Sequence, residues 1–212
     1  FSTIFEENAG EAITAWAQAA KSSEEIRTPW AQLRQNARQF YPLHDRYAGG
    51  ALNLQLLAAI RTMADRYLAS LGYPEAAPEL VPVDASLSVP VYLEMKKSNG
   101  APLLWVMLSA SRESDAGILE SNVFDGNIAE EDAFGAVHND DLLELKNEDL
   151  ATQILFGAAE PPRFLLFISL NQIALIDRNK WSEKRYLQFE LEDIFSRLEL
   201  TTLQAMVVLL HK

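Results

Sequence analysis

The sequence predicts a mixed α/β (α+β) fold, with a mixed central sheet flanked by helices and a helical region at the N-terminus. Three observations carry this. Residues 89–109, VPVYLEMKKSNGAPLLWVMLS, read as two apolar strands joined at Ser98-Asn99-Gly100. Asn-Gly is the strongest short hairpin signal, because both residues tolerate the positive φ of a type I′ turn. Residues 163–177, RFLLFISLNQIALID, read as a second hairpin. Before and between these pairs, apolar residues recur at spacings of three and four, which marks helices. The order helices, hairpin, helix, hairpin, helix lays helices over the faces of one sheet.

Taken in order, Ile13, Trp16 and Ala20 give residues 11–21 one apolar side. Thr28-Pro29 reads as an N-cap followed by proline at the first helical position, where a missing N–H is harmless. Trp30, Leu33, Ala37 and Phe40 then make the apolar side of a helix whose other side carries Arg27, Arg34 and Arg38. That arginine stripe is read first as a solvated face and, more sharply, as a phosphate-contacting one. Residues 41–50, YPLHDRYAGG, are expected to form a loop. A long helix over residues 52–71 places Leu56, Ile60, Met63, Tyr67 and Leu71 on one side, and Gly72 stops it. Residues 73–82, with three prolines, are an extended connection.

The second arm of the first hairpin, Pro102–Leu108, is almost unbroken apolar. A strand of that composition is covered on both faces and belongs in the middle of a sheet. Further on, Asn147 is expected to cap a helix running through Ala151, Ile154 and Leu155 to Gly157. The second hairpin has arms at 164–169 and 173–176 with Asn171 at its turn. Residues 181–189 add a strand, 190–197 a short helix, and 201–210 one more helix.

The chain has 212 residues, 49% of them hydrophobic, enough to bury a substantial core. It holds no cysteine, which excludes disulfides and thiolate metal sites and suits a reducing, cytoplasmic setting. No run of about 18 apolar residues is present, so no membrane span is expected; no signal peptide is visible. The chain begins at Phe1 and ends just after a mostly apolar run, which points to a piece of a longer protein. The expected organisation is a helical segment, 1–50, packed on a core, 51–212. The net charge of −12 is uneven: residues 112–150 hold 12 acidic and two basic residues, and the remainder holds 18 and 16. The acidity therefore sits in an insert at 112–150, with short structured pieces expected at 118–124 and 142–145. Outside it, the objection to a nucleic-acid partner, whose phosphates need Lys and Arg, mostly disappears. The insert is read as a solvated segment, a mimic of DNA charge, or a surface for a basic partner.

The long helix ending in Leu71-Gly72-Tyr73, the proline-spaced connection and two strands about a glycine turn resemble a restriction-endonuclease-like core. Residues 161–195, PPRFLLFISLNQIALIDRNKWSEKRYLQFELEDIF, resemble the N-terminal region of large adenine-specific DNA methyltransferases of the type IIG restriction-modification kind, found in phage-defence systems. Asp177-Arg178 with Lys180-Trp181 is the most specific part. The likeness is best over 160–212, weaker over 52–109 and slight before residue 50. It implies an N-terminal, non-catalytic, nuclease-like module with a scaffolding or DNA-holding role. The S-adenosylmethionine-dependent chemistry would lie in the rest of the parent chain. Two other readings stand beside it: an active Mg²⁺-dependent DNA endonuclease, and a protein-interaction module of a phage-defence complex using the acidic segment.

In such nucleases an Asp on one strand and a Glu-x-Lys on the next hold a divalent metal that activates water. Here Leu108 stands where the Glu is expected, Ala110 where the Lys is, and Val91 where the Asp is, so the site is degenerate on this placement. A second placement takes Asp84, Glu94 and Lys96 as the catalytic set, with Mg²⁺ as its ion. For DNA binding, Arg178, Lys180, Lys184 and Arg185 are the candidates, interleaved with Trp181 and Tyr186 as stacking platforms. The plainer reading of that cluster is a charged connection beside Glu183. His44, His138 and His211 have no ligand spacing and read as loop and surface histidines. A G-x-S-x-G elbow and a glycine-rich phosphate loop are both missing from the sequence.

Overall fold

The computed structural model describes residues 3–47, 54–109, 117–122 and 145–212. Helix α1 (Thr3–Ser22) leads into α2 (Pro29–Tyr47), which starts as its sequence demands. Thr28 Oγ1 accepts the Ala31 amide at 3.3 Å, and Pro29 is the first helical residue. Leu33, Ala37 and Phe40 are buried, while Arg34 and Arg38 are exposed. The loop expected from Tyr41 onward is instead helix, running through Pro42 to Tyr47; residues 48–50 lie outside the described residues. An internal proline costs about 3 kcal/mol. Tyr47 is buried and Leu43 packs on the core, and each such side chain returns about 1.5–3 kcal/mol, so burial outweighs the lost hydrogen bond.

Helix α3 (Leu54–Ser70) ends in a Schellman turn. Gly72 sits at φ +77, the Tyr73 amide donates to the Leu68 carbonyl at 2.9 Å, and the Gly72 amide donates to Ala69 at 3.1 Å. The proline-rich connection then yields a strand that the sequence did not suggest, β1 (Glu79–Pro82), antiparallel to β2 (Ser88–Val91). The predicted first arm of the hairpin thus divides at Tyr92: β2 joins the small sheet, and only β3 (Leu93–Lys96) pairs with β4 (Pro102–Leu108). The physical reason is a break in alternation. Val91 packs on one side of the large sheet, whereas both Tyr92 and Leu93 pack on the other. The turn also differs from type I′. Only Gly100 has positive φ (+84); its amide donates to the Lys97 carbonyl and the Lys97 amide to Ala101, both at 2.9 Å. That is a tight turn followed by a glycine bulge, and the pairing register shifts between Met95 and Lys96.

After a 3₁₀ turn, Ile118–Glu120, the chain continues as α4 (Asn147–Gly157), β5 (Phe164–Ile168), β6 (Gln172–Asp177), the short helix α5 (Arg178–Trp181), β7 (Tyr186–Glu190), α6 (Leu191–Arg197) and α7 (Leu200–Leu210). The large sheet has five strands in the order β3-β4-β5-β6-β7. β4 and β5 run parallel and the other neighbours antiparallel. A parallel pair needs a long crossover, and the stretch containing α4 provides it.

β4 lies inside the sheet, paired on both edges, as its composition predicts. Its side chains alternate between two cores. Leu104, Val106 and Leu108 face the side covered by α2, α3, α6 and α7; Trp105 and Met107 face the side covered by β2, the 3₁₀ turn, α4 and Trp181. β5 repeats the pattern, with Leu166 and Ile168 on the first side and Leu165 and Phe167 on the second. Period-2 alternation with apolar residues on both faces is what a doubly covered strand requires. Among the described residues no helix is long and apolar enough to cross a membrane.

Candidate functional site

Where β4 and β5 end side by side, the apolar runs Pro102–Leu108 and Phe164–Ile168 are each followed by a buried serine, Ser109 and Ser169. The carboxyl ends of parallel strands are where open α/β sheets usually place their ligands. Five buried polar residues, Ser109, Asn147, Ser169, Asn171 and Gln172, gather around these ends. The Ser109 amide donates to the Ile168 carbonyl at 2.9 Å. Asn147 Nδ2 donates to Ser109 Oγ and to the Ile118 carbonyl, both at 2.7 Å. Ser169 Oγ bonds to Asn171 Oδ1 at 3.1 Å and accepts the Gln172 amide at 2.9 Å. Gln172 Nε2 reaches both oxygens of Glu190 at 3.0 Å. Asn147 is thus not the cap expected of it. Lys146 occupies the cap position of α4 without a side-chain bond, and Asn147, fully buried, ties the helix start to β4 and the 3₁₀ turn.

This cluster consists of hydroxyls and amides. It can brace backbone and accept or donate hydrogen bonds, and among the described residues half-exposed Glu190 at its rim is its one charged member. Leu108, at the position the nuclease pattern gives to a carboxylate, is buried in the first core. Val91 is buried in the second, and Ala110 lies outside the described residues.

The alternative set is only partly brought together. Glu94 and Lys96 share one side of β3, an edge strand, and their charged ends meet at 2.9 Å. The Lys96 ammonium is held above its usual pKa, first by the hydrogen bond to Glu94 and then by that carboxylate's charge. The other Glu94 oxygen accepts the indole N–H of buried Trp105 at 3.0 Å, across the strand pair. A buried indole needs such an acceptor, so both oxygens of Glu94 already have structural work. Asp84 sits in the β1–β2 turn, where Oδ1 accepts the Ser86 amide (2.7 Å), the Ser86 hydroxyl (2.8 Å) and the Leu87 amide (2.9 Å). Those hydrogen bonds, the Ser86 amide first, hold its carboxyl below the usual range. Among the described residues no three acidic or imidazole side chains gather to share a metal ion.

The basic cluster is tied down by its own neighbours. Arg178 Nη1 donates to the Pro161 carbonyl at 3.0 Å. Lys180 and Arg185 flank Glu183 at 3.8 and 3.1 Å. Lys184 pairs with Glu148 of α4 at 2.6 Å and stands 4.6 Å from the Trp181 ring centre. Trp181 is no stacking platform: it is buried, and its indole donates to Thr152 at 3.0 Å. Of the two interleaved aromatics only Tyr186 reaches the surface. The Asp177-Arg178 motif is likewise structural here. Asp177 caps α5 by accepting the Asn179 amide, and it forms a two-pronged contact with Arg163, at 2.7 and 2.9 Å, that closes the base of the β5–β6 hairpin.

Of the histidines, His44 lies in α2 rather than a loop, stacked on Phe40. His211 follows α7 against Trp16, and His138 lies outside the described residues, as does most of the acidic insert. No family model, curated protein or solved structure matches the chain. The polar cluster escaped sequence reasoning, although one signal pointed to it: two uninterrupted apolar runs, each stopped by a serine.

Proposed function

We propose that this chain is a non-catalytic scaffolding module, nuclease-like in its sheet, of a DNA restriction-modification methyltransferase. The observation that supports it is the packing at the carboxyl ends of β4 and β5. Buried Leu108 and a neutral network centred on Asn147 and Ser109 fill the place where metal-dependent hydrolysis would require ionised carboxylates. Carboxylates buried there without partners would be heavily penalised, whereas amide and hydroxyl groups that mostly pair with one another, with Asn147 Oδ1 and Asn171 Nδ2 left over among the described residues, brace the sheet at smaller cost. Methyl transfer, with S-adenosylmethionine, belongs to the rest of the parent chain. A working endonuclease built on Asp84, Glu94 and Lys96 with Mg²⁺ is the alternative, supported by the 2.9 Å approach of Glu94 to Lys96.

Supercoiled plasmid incubated with the protein and Mg²⁺ or Mn²⁺ separates the two. The scaffold reading expects no nicking from the native protein or from Glu94→Ala. In the parent enzyme it expects methylation to survive Glu94→Ala and to fall with folding in the core variant Leu166→Asp. Metal-dependent nicking that disappears in Glu94→Ala would overturn it.

A further inference from the structure

We propose that the groove between α2 and α6 binds the phosphate backbone of nucleic acid through Arg27, Arg34 and Arg38. The groove encloses about 750 Å³ and is walled by these three arginines, with Tyr41, Phe195 and Leu198 among its apolar surfaces. Among the described residues no acidic side chain lines it. The proposal supplies the DNA contact of the module inferred above, and it rests on that reading for the choice of nucleic acid as the polyanion.

The charges are placed for an external partner. Arg34 and Arg38 are exposed, and among the described residues neither has a hydrogen bond or an ion pair. Among the described residues the Arg27 guanidinium reaches the neutral Gln35, at 2.6 Å, and no carboxylate. This holds in a chain with net charge −12, where every basic residue around Trp181 has found an oxygen partner. The acids of α6 do not fill the gap: Glu192 lies 3.9 Å from His44 and Asp193 lies 3.8 Å from Arg197. Tyr41 donates its hydroxyl to the Glu192 carbonyl at 3.4 Å.

The three guanidinium groups converge on one groove. Arg34 and Arg38 are one helical turn apart, about 6 Å at 1.5 Å per residue, and the Arg27 side chain runs along the helix to Gln35, at 2.6 Å, beside them. Together they offer three fixed positive charges to neighbouring phosphates of a strand. Guanidinium forks take phosphate oxygens two at a time, and the apolar and aromatic surfaces between them suit the sugars and bases of a strand.

The test is fluorescence anisotropy with labelled single-stranded and duplex oligonucleotides, between 50 and 200 mM KCl, on the native protein and Arg34→Ala/Arg38→Ala. Each lost phosphate contact lowers the log–log salt slope on duplex by about 0.9. The double variant should therefore lose about two units of slope and at least tenfold in affinity at 50 mM, with an unchanged melting temperature. Arg34→Lys/Arg38→Lys should keep most of the slope, and Lys184→Glu/Arg185→Glu should bind as the native protein does. An unchanged slope in the alanine variant would overturn the proposal. So would binding of poly-glutamate but not DNA, which would make the occupant an acidic protein. The nicking assay does not involve these arginines, so either proposal can fail without the other.

Discussion

Replacing Asn147 with alanine tests whether the polar cluster braces the sheet. The substitution removes two 2.7 Å bonds, to Ser109 Oγ and the Ile118 carbonyl, in a site with no solvent access. A net intramolecular hydrogen bond is worth about 1 kcal/mol, and a buried acceptor left unpaired costs about 1–3 kcal/mol. The loss from these two bonds is then about 2–4 kcal/mol. It is reduced somewhat because Asn147 Oδ1 is itself buried with no partner among the described residues. An expected loss of about 2–3 kcal/mol should lower the melting temperature by roughly 4–12 °C for a chain of this length. Urea denaturation is the assay: the midpoint should fall while the m-value holds. Ser109→Ala completes a double-mutant cycle, and residues in direct contact should show a coupling of about 0.5–3 kcal/mol. A loss below about 0.5 kcal/mol with no coupling would refute the reasoning and leave the cluster as incidental packing.

Three further outcomes follow from buried groups. Tyr67 is fully buried and its hydroxyl has no partner among the described residues; an unpaired buried hydroxyl costs about 1–3 kcal/mol, so Tyr67→Phe should raise stability by about 1 kcal/mol in urea denaturation, and a clear loss would reveal a missed bond. Burial pushes Tyr73 from 10.0 up to about 12; the folded state then holds a proton that the unfolded chain gives up, so the stabilising contribution is complete below pH 10 and lost as pH rises towards 12. Tyr73→Phe should flatten that limb in a pH series of melting temperatures. Gly72 has φ +77, and a Cβ there would stand 2.7 Å from His211 Nε2; left-handed backbone costs a non-glycine residue about 1–2 kcal/mol, so Gly72→Ala should lose at least that much by urea denaturation, and His211→Ala should recover only the steric part.

Much of the sheet was legible because its signals are local. The run from Pro102 to Leu108 declares an interior strand by lacking a polar side. Thr28-Pro29 and Leu71-Gly72-Tyr73 mark helix ends through chemistry confined to a few residues. What escaped depends on partners distant in sequence. Tyr92 breaks its strand because two cores compete for Val91 and Leu93, and no periodicity within one arm reveals that. The helix survives Pro42 because Tyr47 has a core to enter. In the candidate site, the adjacency of Glu94 and Lys96 follows from their spacing on a strand. The demand of Trp105 on Glu94 comes from a cross-strand register that the turn had to set first. Trp181 looked like a stacking residue beside lysines and arginines, but its indole is claimed by Thr152, twenty-nine positions earlier in the chain.

The two sides of the acidic insert meet at a neck. Asn122 and Lys146 form an antiparallel bridge, and the Asn147 amide donates to the Ser121 carbonyl at 2.8 Å. Clasped in this way, the crossover from β4 to β5 has its ends fixed at the neck itself, and doubling the number of residues between the clasp points adds only about 0.6 kcal/mol of closure entropy. The neck is therefore a natural cassette boundary, where sequence can be lengthened, exchanged or grafted while the five strands keep their registers.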